Sequence, residues 1–215
     1  MTDYAYNRGD LASMVATARR QRAKDAIFVE ALMPYFRPGA ILEIGAGCGQ
    51  LSELLSAKGL DVTASDIQPF LVEYMSSRGL DARILDATNL APALDRQYDN
   101  ILAQSISVLI TPDLATVKRA YESVHAALPP RGLFVFILPS WWRAPWSSVA
   151  DHLRIADGAG FECVHRFRHQ ILPSSLYGQV PVTLLRAIDG SIGRILGVRS
   201  VFIFKRRGVS TPDGS

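Results

Sequence analysis

The sequence is poor in cysteine and has no long hydrophobic run. Its 215 residues include two cysteines, Cys48 and Cys163, with no C-x-x-C pair and no histidine–cysteine cluster at ligand spacing. We therefore expect neither a disulfide framework nor a bound metal. The longest apolar run, Leu133 to Leu138, is far too short to span a bilayer, and the polar, aromatic start does not resemble a secretory signal. These absences predict a cytoplasmic globular protein without a membrane partner.

An excess of one charge is also missing. The 23 Lys and Arg nearly balance the 20 Asp and Glu, and a formal charge of +3 is too small to argue for nucleic acid. Residues 143–207 are more basic, with ten Lys and Arg against four Asp and Glu. Apart from Lys205-Arg206-Arg207 these cations stand singly. Their spacing favours a solvated surface over a phosphate-binding stripe, so we expect no nucleic-acid partner.

Strand and helix patterns alternate along most of the chain. Strands are predicted at 40–44, 61–65, 82–85, 98–104 and 132–138. Helices are predicted at 10–32, 51–58, 69–78 and 113–128. The remainder predicts a helix at 147–158, a strand at 161–168, an insertion at 171–198 with a short helix at 184–196, and a last strand at 200–205. This alternation predicts a doubly wound, mostly parallel α/β sheet.

The glycine-rich stretch after the first strand is the most informative segment. The run Ile41-Leu42-Glu43-Ile44 is followed by Gly45, Gly47 and Gly49 at alternate positions. This pattern predicts a buried strand, a tight turn and a helix start, which is where α/β sheets bind nucleotide-like ligands. A dinucleotide fingerprint needs glycine at position 50, where Gln50 stands. A nicotinamide oxidoreductase is therefore disfavoured, and Glu43 would repel a pyrophosphate but suit a cation.

Two further strands end in carboxylates. Asp66 lies 21 positions after Gly45, where a carboxylate can accept from both hydroxyls of a ribose. Asp86, in Ile84-Leu85-Asp86-Ala87, could accept from the exocyclic amine of an adenine. The alternative for both residues is a structural one, in which the aspartate only caps the turn that follows.

The E-x-G-x-G-x-G pattern followed by these acids resembles class I S-adenosylmethionine-dependent methyltransferases. The resemblance covers about residues 39–167 and the final strand, including an Ala-Gly-Phe at 159–161 and, loosely, the Leu128-Pro129-Pro130-Arg131-Gly132 turn. It implies a Rossmann-like fold with S-adenosylmethionine as cofactor. It assigns the glycine loop to the methionine part, Asp66 to ribose and Asp86 to adenine. The cofactor residues that it implies are Glu43, Gly45, Ala46, Gly47, Gly49, Gln50, Asp66, Ile67, Asp86, Ala87 and Gln104.

The resemblance says little about the methyl acceptor. The segment after strand four contains Ser105 but no histidine, and the candidates for a base are His152, His165 and His169. Trp141, Trp142 and Arg143 follow strand five, where they could wall an acceptor pocket or pack the insertion onto the sheet. Tyr4 and Tyr6 precede the first helix, at the position of a lid over the cofactor.

We therefore expect a single domain over residues 1–207 with a flexible tail at 208–215. Residues 1–38 form a helix and lid, 39–139 a cofactor-binding half and 140–207 a substrate-side half. The expected activity is methyl transfer to an oxygen or nitrogen of a small-molecule metabolite. An RNA or protein methyltransferase using the basic C-terminal third, and a non-catalytic cofactor-binding scaffold, remain alternatives.

Overall fold

The computed structural model describes residues 8–139, 147–170, 172, 177 and 179–208, and seven strands within them form one sheet. The strands are β1 (Ile41–Ile44), β2 (Val62–Asp66), β3 (Asp81–Ile84), β4 (Asn100–Gln104), β5 (Leu133–Pro139), β6 (Phe161–His169) and β7 (Arg199–Arg206). The α-helices are α1 (Leu11–Leu32), α2 (Gln50–Ser56), α3 (Pro69–Ser77), α4 (Leu114–Ala127), α5 (Val149–Gly158), α6 (Val182–Gly190) and α7 (Gly193–Leu196). Short 3-10 turns occupy Arg8–Asp10, Met33–Tyr35 and Ala91–Ala93.

The strand order is β3-β2-β1-β4-β5-β7-β6. Strands β1 to β5 run parallel, and β7 inserts antiparallel between β5 and β6. The predicted doubly wound, mostly parallel sheet with an N-terminal helix is confirmed. The order reverses between β1 and β4, so the carboxyl ends of these strands flank the switch point at which such sheets bind ligands.

Both faces of the sheet are covered. Phe134 and Phe136 of β5 point to a core that also holds Tyr121 of α4, while Val135 and Ile137 point to a core shared with α1 and α2. This accounts for the continuous apolar run in β5, because a strand buried on both faces has no polar side.

The insertion before the last strand differs from its prediction. The single helix predicted at 184–196 is instead two helices, α6 and α7, which Ser191 and Ile192 separate. Ser191 has φ −114° and ψ −91°, outside the helical region, so the helix cannot continue through it. In the described part of the chain, no helix has both the length and the hydrophobicity needed to cross a membrane.

Candidate cofactor site

The loop between β1 and α2 has the shape that its glycines predict. Gly45 has φ +67°, and a Cβ there would lie 2.2 Å from Cγ2 of Ile106, so only glycine lets the segment after β4 come this close. Gly47 has φ +57°, and a Cβ there would meet nothing nearer than Cε of Met14 at 3.9 Å. Gly45 therefore closes the loop against β4, whereas Gly47 opens it to a cleft.

Strand β2 anchors this loop. The Ala46 N–H donates to the carbonyl of Ser65 at 2.7 Å, and the Gly47 N–H donates to Oδ2 of Asp66 at 3.0 Å. The other carboxylate oxygen of Asp66 accepts from the Gln68 N–H at 3.0 Å. Asp66 thus holds both the glycine loop and the start of α3, and its two oxygens together retain lone pairs for a ligand.

A cleft of about 420 Å³ lies over the carboxyl ends of β1 to β4. It falls within the roughly 300–1,000 Å³ of small-molecule and cofactor sites. Its lining residues are Met14, Gly45, Gly47, Asp66, Ile67, Gln68, Leu71, Leu85, Asp86, Ala87, Ser105, Ile106, Ser107, Val108 and Ile110. The cleft is therefore mainly apolar, with carboxylates at two strand ends.

Asp66 and Asp86 differ in their surroundings. Asp66 is 8% exposed, and burial raises the pKa of its carboxyl while the backbone donors of Gln68 and Gly47 oppose that rise. Asp86 is exposed, and its Oδ1 accepts from both the N–H and the hydroxyl of Thr88 at 2.8 Å. Oδ1 of Asp86 thus caps the following turn, as the structural alternative predicted. The side chain also lines the cleft. Ile67, between them, is 58% exposed and offers the cleft an apolar face.

The end of β4 supplies the opposite wall. Ser105 adopts φ 55°, a left-handed conformation that is uncommon outside glycine, and its N–H donates to the carbonyl of Ile137 at 3.0 Å. This turn carries the chain from β4 into Ile106 and Val108, which line the cleft. Strained backbone of this kind is often kept at functional sites.

Glu43 lies beneath the cleft rather than in its wall. Its side chain is buried within β1 and accepts from the Ser52 hydroxyl of α2. Burial raises the pKa of its carboxyl to about 7, opposed by the Ser52 hydrogen bonds and supported by the charges of Asp25 and Asp66. A cation bound above the loop would favour the ionised form.

The structure brings together part of the predicted cofactor set. Gly45, Gly47, Asp66, Ile67, Asp86 and Ala87 line the cleft, as does the predicted substrate residue Ser105. Glu43, Ala46, Gly49, Gln50 and Gln104 do not belong to its described lining. Gly49 instead faces Met75 and Leu80, where a Cβ would lie within 2.9 Å of either side chain.

None of the three candidate histidines lies in that lining. His152 is fully buried between the Tyr121 hydroxyl at 3.1 Å and the Ser147 hydroxyl at 2.9 Å, and burial lowers its pKa to about 4. His165 is exposed on β6, with its ring 5.2 Å from that of Tyr35. His169 is buried at the end of β6 beside Phe28, and burial lowers its pKa to about 4.

The sequence reasoning missed several wall residues. Met14 comes from α1, about 30 positions before the glycine loop, and no local pattern marks it. Gln68 and Leu71 follow Asp66, and their place at the start of α3 could have indicated them. Tyr4, Tyr6, Trp141, Trp142 and Arg143 lie outside the described residues.

This strand order, with a glycine loop after β1 and an acid at the end of β2, defines a Rossmann-like class I methyltransferase fold. A family model described as a methyltransferase domain matches residues 41–132. Residues 41–132 therefore match a methyltransferase domain, and the fold is the one that class I S-adenosylmethionine-dependent methyltransferases share.

One curated relative is a malonyl-[acyl-carrier protein] O-methyltransferase from Pseudescherichia vulneris. It is 26% identical over 176 residues, a match that covers 77% of this chain and 65% of the relative. The chain thus spans somewhat less than two thirds of that protein.

Solved structures show the same fold. A TehB-like methyltransferase from Corynebacterium glutamicum superposes with a TM-score of 0.66 at 18% identity, covering 94% of this chain and 100% of that one. A methyltransferase from Archaeoglobus fulgidus gives a TM-score of 0.63 at 18% identity, covering 86% of this chain and 94% of that one.

The residues of the cleft fit S-adenosylmethionine. The open space at Gly47, which a Cβ would enter, suits the methionine part, and Asp66 presents a carboxylate one strand away for the ribose. Ile67 and Leu85 form the apolar surface that an adenine ring requires, next to Asp86. The two carboxylates and buried Glu43 favour a sulfonium over a pyrophosphate, because they attract a cation and repel phosphates.

Proposed function

We propose that this protein transfers a methyl group from S-adenosylmethionine to an oxygen or nitrogen atom of a small-molecule metabolite. The observation that carries the proposal is the order of groups along the cleft. Asp86, Asp66 and Gly47 follow one another at the ends of β3, β2 and β1, and this row leads to the wall formed by Ser105 and Ile106 after β4.

The protein's contribution is placement. When bound, the cofactor supplies a methyl group on a sulfonium, which is already a good leaving group. Asp66 and the glycine loop position the cofactor in the cleft. The apolar side chains of Ile106, Val108 and Ile110 line the same cleft and limit the access of water to the methyl group. Bringing the acceptor atom in line about 3 Å from the methyl group then supplies most of the rate enhancement.

The lining residues bear on the acceptor atom. Because none of the candidate histidines is among them, the site suits an atom with a lone pair that is free at neutral pH, such as a carboxylate oxygen or an unprotonated nitrogen. The curated relative is named as an O-methyltransferase, which supports oxygen. Because that relative is only 26% identical, a nitrogen acceptor atom stays in the proposal beside oxygen.

The basic C-terminal third does not favour RNA as the acceptor. Arg186 bonds to Glu30 at 2.7 Å, Arg207 pairs with Asp157, and Arg206 donates to the carbonyl of Leu128. Cations that are already engaged with the protein's own carboxylates and carbonyls contribute less to a phosphate-binding stripe.

Two measurements test the proposal. Calorimetry should show micromolar binding of S-adenosylmethionine and S-adenosylhomocysteine and no binding of NAD. Labelled cofactor should then transfer its methyl group into a metabolite extract and not into RNA or protein. Binding without transfer into any fraction would support a non-catalytic scaffold, and labelling confined to RNA or protein would support the macromolecular alternative.

A further inference from the structure

A buried carboxylate in the middle of α1 joins three elements of the fold. Asp25 is 6% exposed, and its Oδ2 accepts from the side-chain amide of Gln50, the first residue of α2, at 2.5 Å. Its Oδ1 lies 3.5 Å from Nζ of Lys24 and 3.8 Å from Nη1 of Arg199, the first residue of β7. Gln50, which the sequence places in the cofactor site, thus directs its side chain toward α1.

Packing alone does not require charge at this place. Phe28, Val29 and Leu32 already bury the same helix against the sheet. Removing a carboxylate from water costs several kcal/mol, and apolar residues of similar volume are often at least as stabilising. Within the described residues, Oδ1 of Asp25 and Nη1 of Arg199 also lack hydrogen-bond partners. A buried, incompletely satisfied ionic group of this kind is better explained by a geometric role.

The neighbouring glycine loop needs such an anchor. Gly45, Gly47 and Gly49 all have positive φ and carry no side chains that could fix the loop from within. Asp66 holds it from β2 through the Gly47 N–H. The Gln50–Asp25 hydrogen bond holds it from the opposite side, at the first residue after the loop.

The same hydrogen bond fixes α1 relative to the loop. Helix α1 also carries Met14, whose Cε is the nearest atom to the position that a Cβ of Gly47 would occupy, at 3.9 Å. Met14 and Gly47 both line the cleft, at the end that the proposed function assigns to the methionine part. A contact between α1 and the start of α2 therefore joins the two elements that carry these lining residues.

We propose that Asp25 is a positioning residue for the cofactor, acting through the side chain of Gln50. It holds the glycine loop and α1 at the separation that binds the methionine part, with the cations of Lys24 and Arg199 within 4 Å of its Oδ1. This inference rests on the proposed function, because it presupposes that S-adenosylmethionine occupies the cleft.

The chain offers a matched control for this contact. Arg22 of α1 and Glu53 of α2 form an ion pair at 2.9 Å between the same two helices. That pair lies about one turn further along α2 and is partly exposed, with 48% and 27% of the two side chains accessible. Arg22→Ala removes a link between α1 and α2 without touching the residue next to the glycine loop.

The experiment measures the Kd of S-adenosylhomocysteine by calorimetry and Tm by calorimetric scanning. Gln50→Ala should raise Kd by about five- to tenfold, which is about 1–1.4 kcal/mol and within the net worth of a typical intramolecular hydrogen bond. Arg22→Ala should leave Kd within about twofold. Asp25→Asn retains an oxygen that can accept from Gln50, so it should lower Tm but keep Kd within about threefold. A purely structural role for Asp25 would instead leave the Kd of the Gln50→Ala variant at its wild-type value.

Asp25→Ala leaves two buried cations unpaired and serves only as part of a double-mutant cycle. If it folds, adding Gln50→Ala to it should raise Kd no further, because both changes remove the same contact. The inference is overturned if Gln50→Ala has the wild-type Kd, or if Arg22→Ala raises Kd as much as Gln50→Ala does. Either result leaves the proposed function intact. Failure of the wild-type protein to bind S-adenosylhomocysteine overturns both.

Discussion

The two halves of the sheet place their functional residues in different ways. In the half built from β1 to β4, side chains that face the cleft come at a strand end, as Asp66 does, or directly after one, as Ser105 does. In the half built from β5 to β7, the residues at the same edge turn inward. His169 at the end of β6 is paired in register with Arg199 at the start of β7, and both side chains are largely buried against α1 and α6.

We expect this difference from what each half is proposed to bind. The family match covers residues 41–132, which is the half proposed to bind the cofactor. A cofactor is the same molecule throughout a family, so short local motifs suffice to bind it. Acceptors differ between members, and the β5–β7 edge combines distant segments, including α6 and α7 between β6 and β7. Substitutions in each half therefore test this contrast.

The largest effect is expected at Gly47. Gly47→Ala places a methyl group in the methionine end of the cleft, and we expect the Kd of S-adenosylhomocysteine to rise about a hundredfold by calorimetry. Gly79→Ala is the matched control, because Gly79 has φ +80°, no atom within 4 Å of the position that a Cβ would take, and a place in the turn before β3. Both variants bear a similar strain of about 1–2 kcal/mol and should lose similar Tm. Equal affinity in the two variants would show that the cofactor lies elsewhere.

A smaller effect is expected when the carboxylates are removed. Asp66→Ala deletes the carboxylate that we expect to accept two hydrogen bonds from the ribose, each with a net worth of about 0.5–1.5 kcal/mol, and also removes the acceptor of the Gly47 N–H. Kd for S-adenosylhomocysteine should rise about tenfold, with the far-UV circular dichroism unchanged. Asp86→Ala should raise it only about threefold, because Oδ1 of Asp86 is already engaged by Thr88. An Asp66 variant that binds normally would reduce this carboxylate to a turn cap.

Sequence patterns predicted the order and type of nearly all of the elements, because each depends on local periodicity. The boundaries of β1 and α3 moved by only one residue at one end. The helix of the insertion was wrong as a single unit, since its break at Ser191 depends on close packing of Gly193 against Asp189, whose Oδ1 would lie 2.9 Å from a Cβ at Gly193. Packing of this kind leaves no periodic signal.

The same limit applies to the site. Gly47 and Asp66, which both line the cleft, were predicted because the cofactor binding expected of them fixes their spacing. Met14 was missed because it reaches the cleft from a helix distant in sequence. Gln50 was predicted in the cofactor site, but it is the first residue of α2 and its side chain bonds to Asp25, 25 positions earlier, which only the tertiary structure reveals. The burial of His152 is likewise a property of the packed core rather than of its sequence neighbours.

The last prediction concerns stability rather than cofactor affinity, and it distinguishes the two halves by their dependence on pH. Glu43, in β1, has its pKa raised to about 7 from an ordinary 4.5, so the folded state holds a proton that the unfolded state has lost between those values. Its contribution to stability is therefore lost as pH rises from about 4.5 to 7. His152, in the other half, has its pKa lowered to about 4 from 6.5, and its contribution to stability is lost as pH falls through that window.

The measurement is Tm as a function of pH. Tm of Glu43→Gln minus that of wild type should increase from pH 5 to 7.5, and for His152→Gln the same difference should decrease. Each pKa unit corresponds to about 1.4 kcal/mol, and about 1 kcal/mol moves Tm by roughly 2–4 °C at this size. Parallel pH trends in the two variants would show that one of these groups does not titrate as its burial requires.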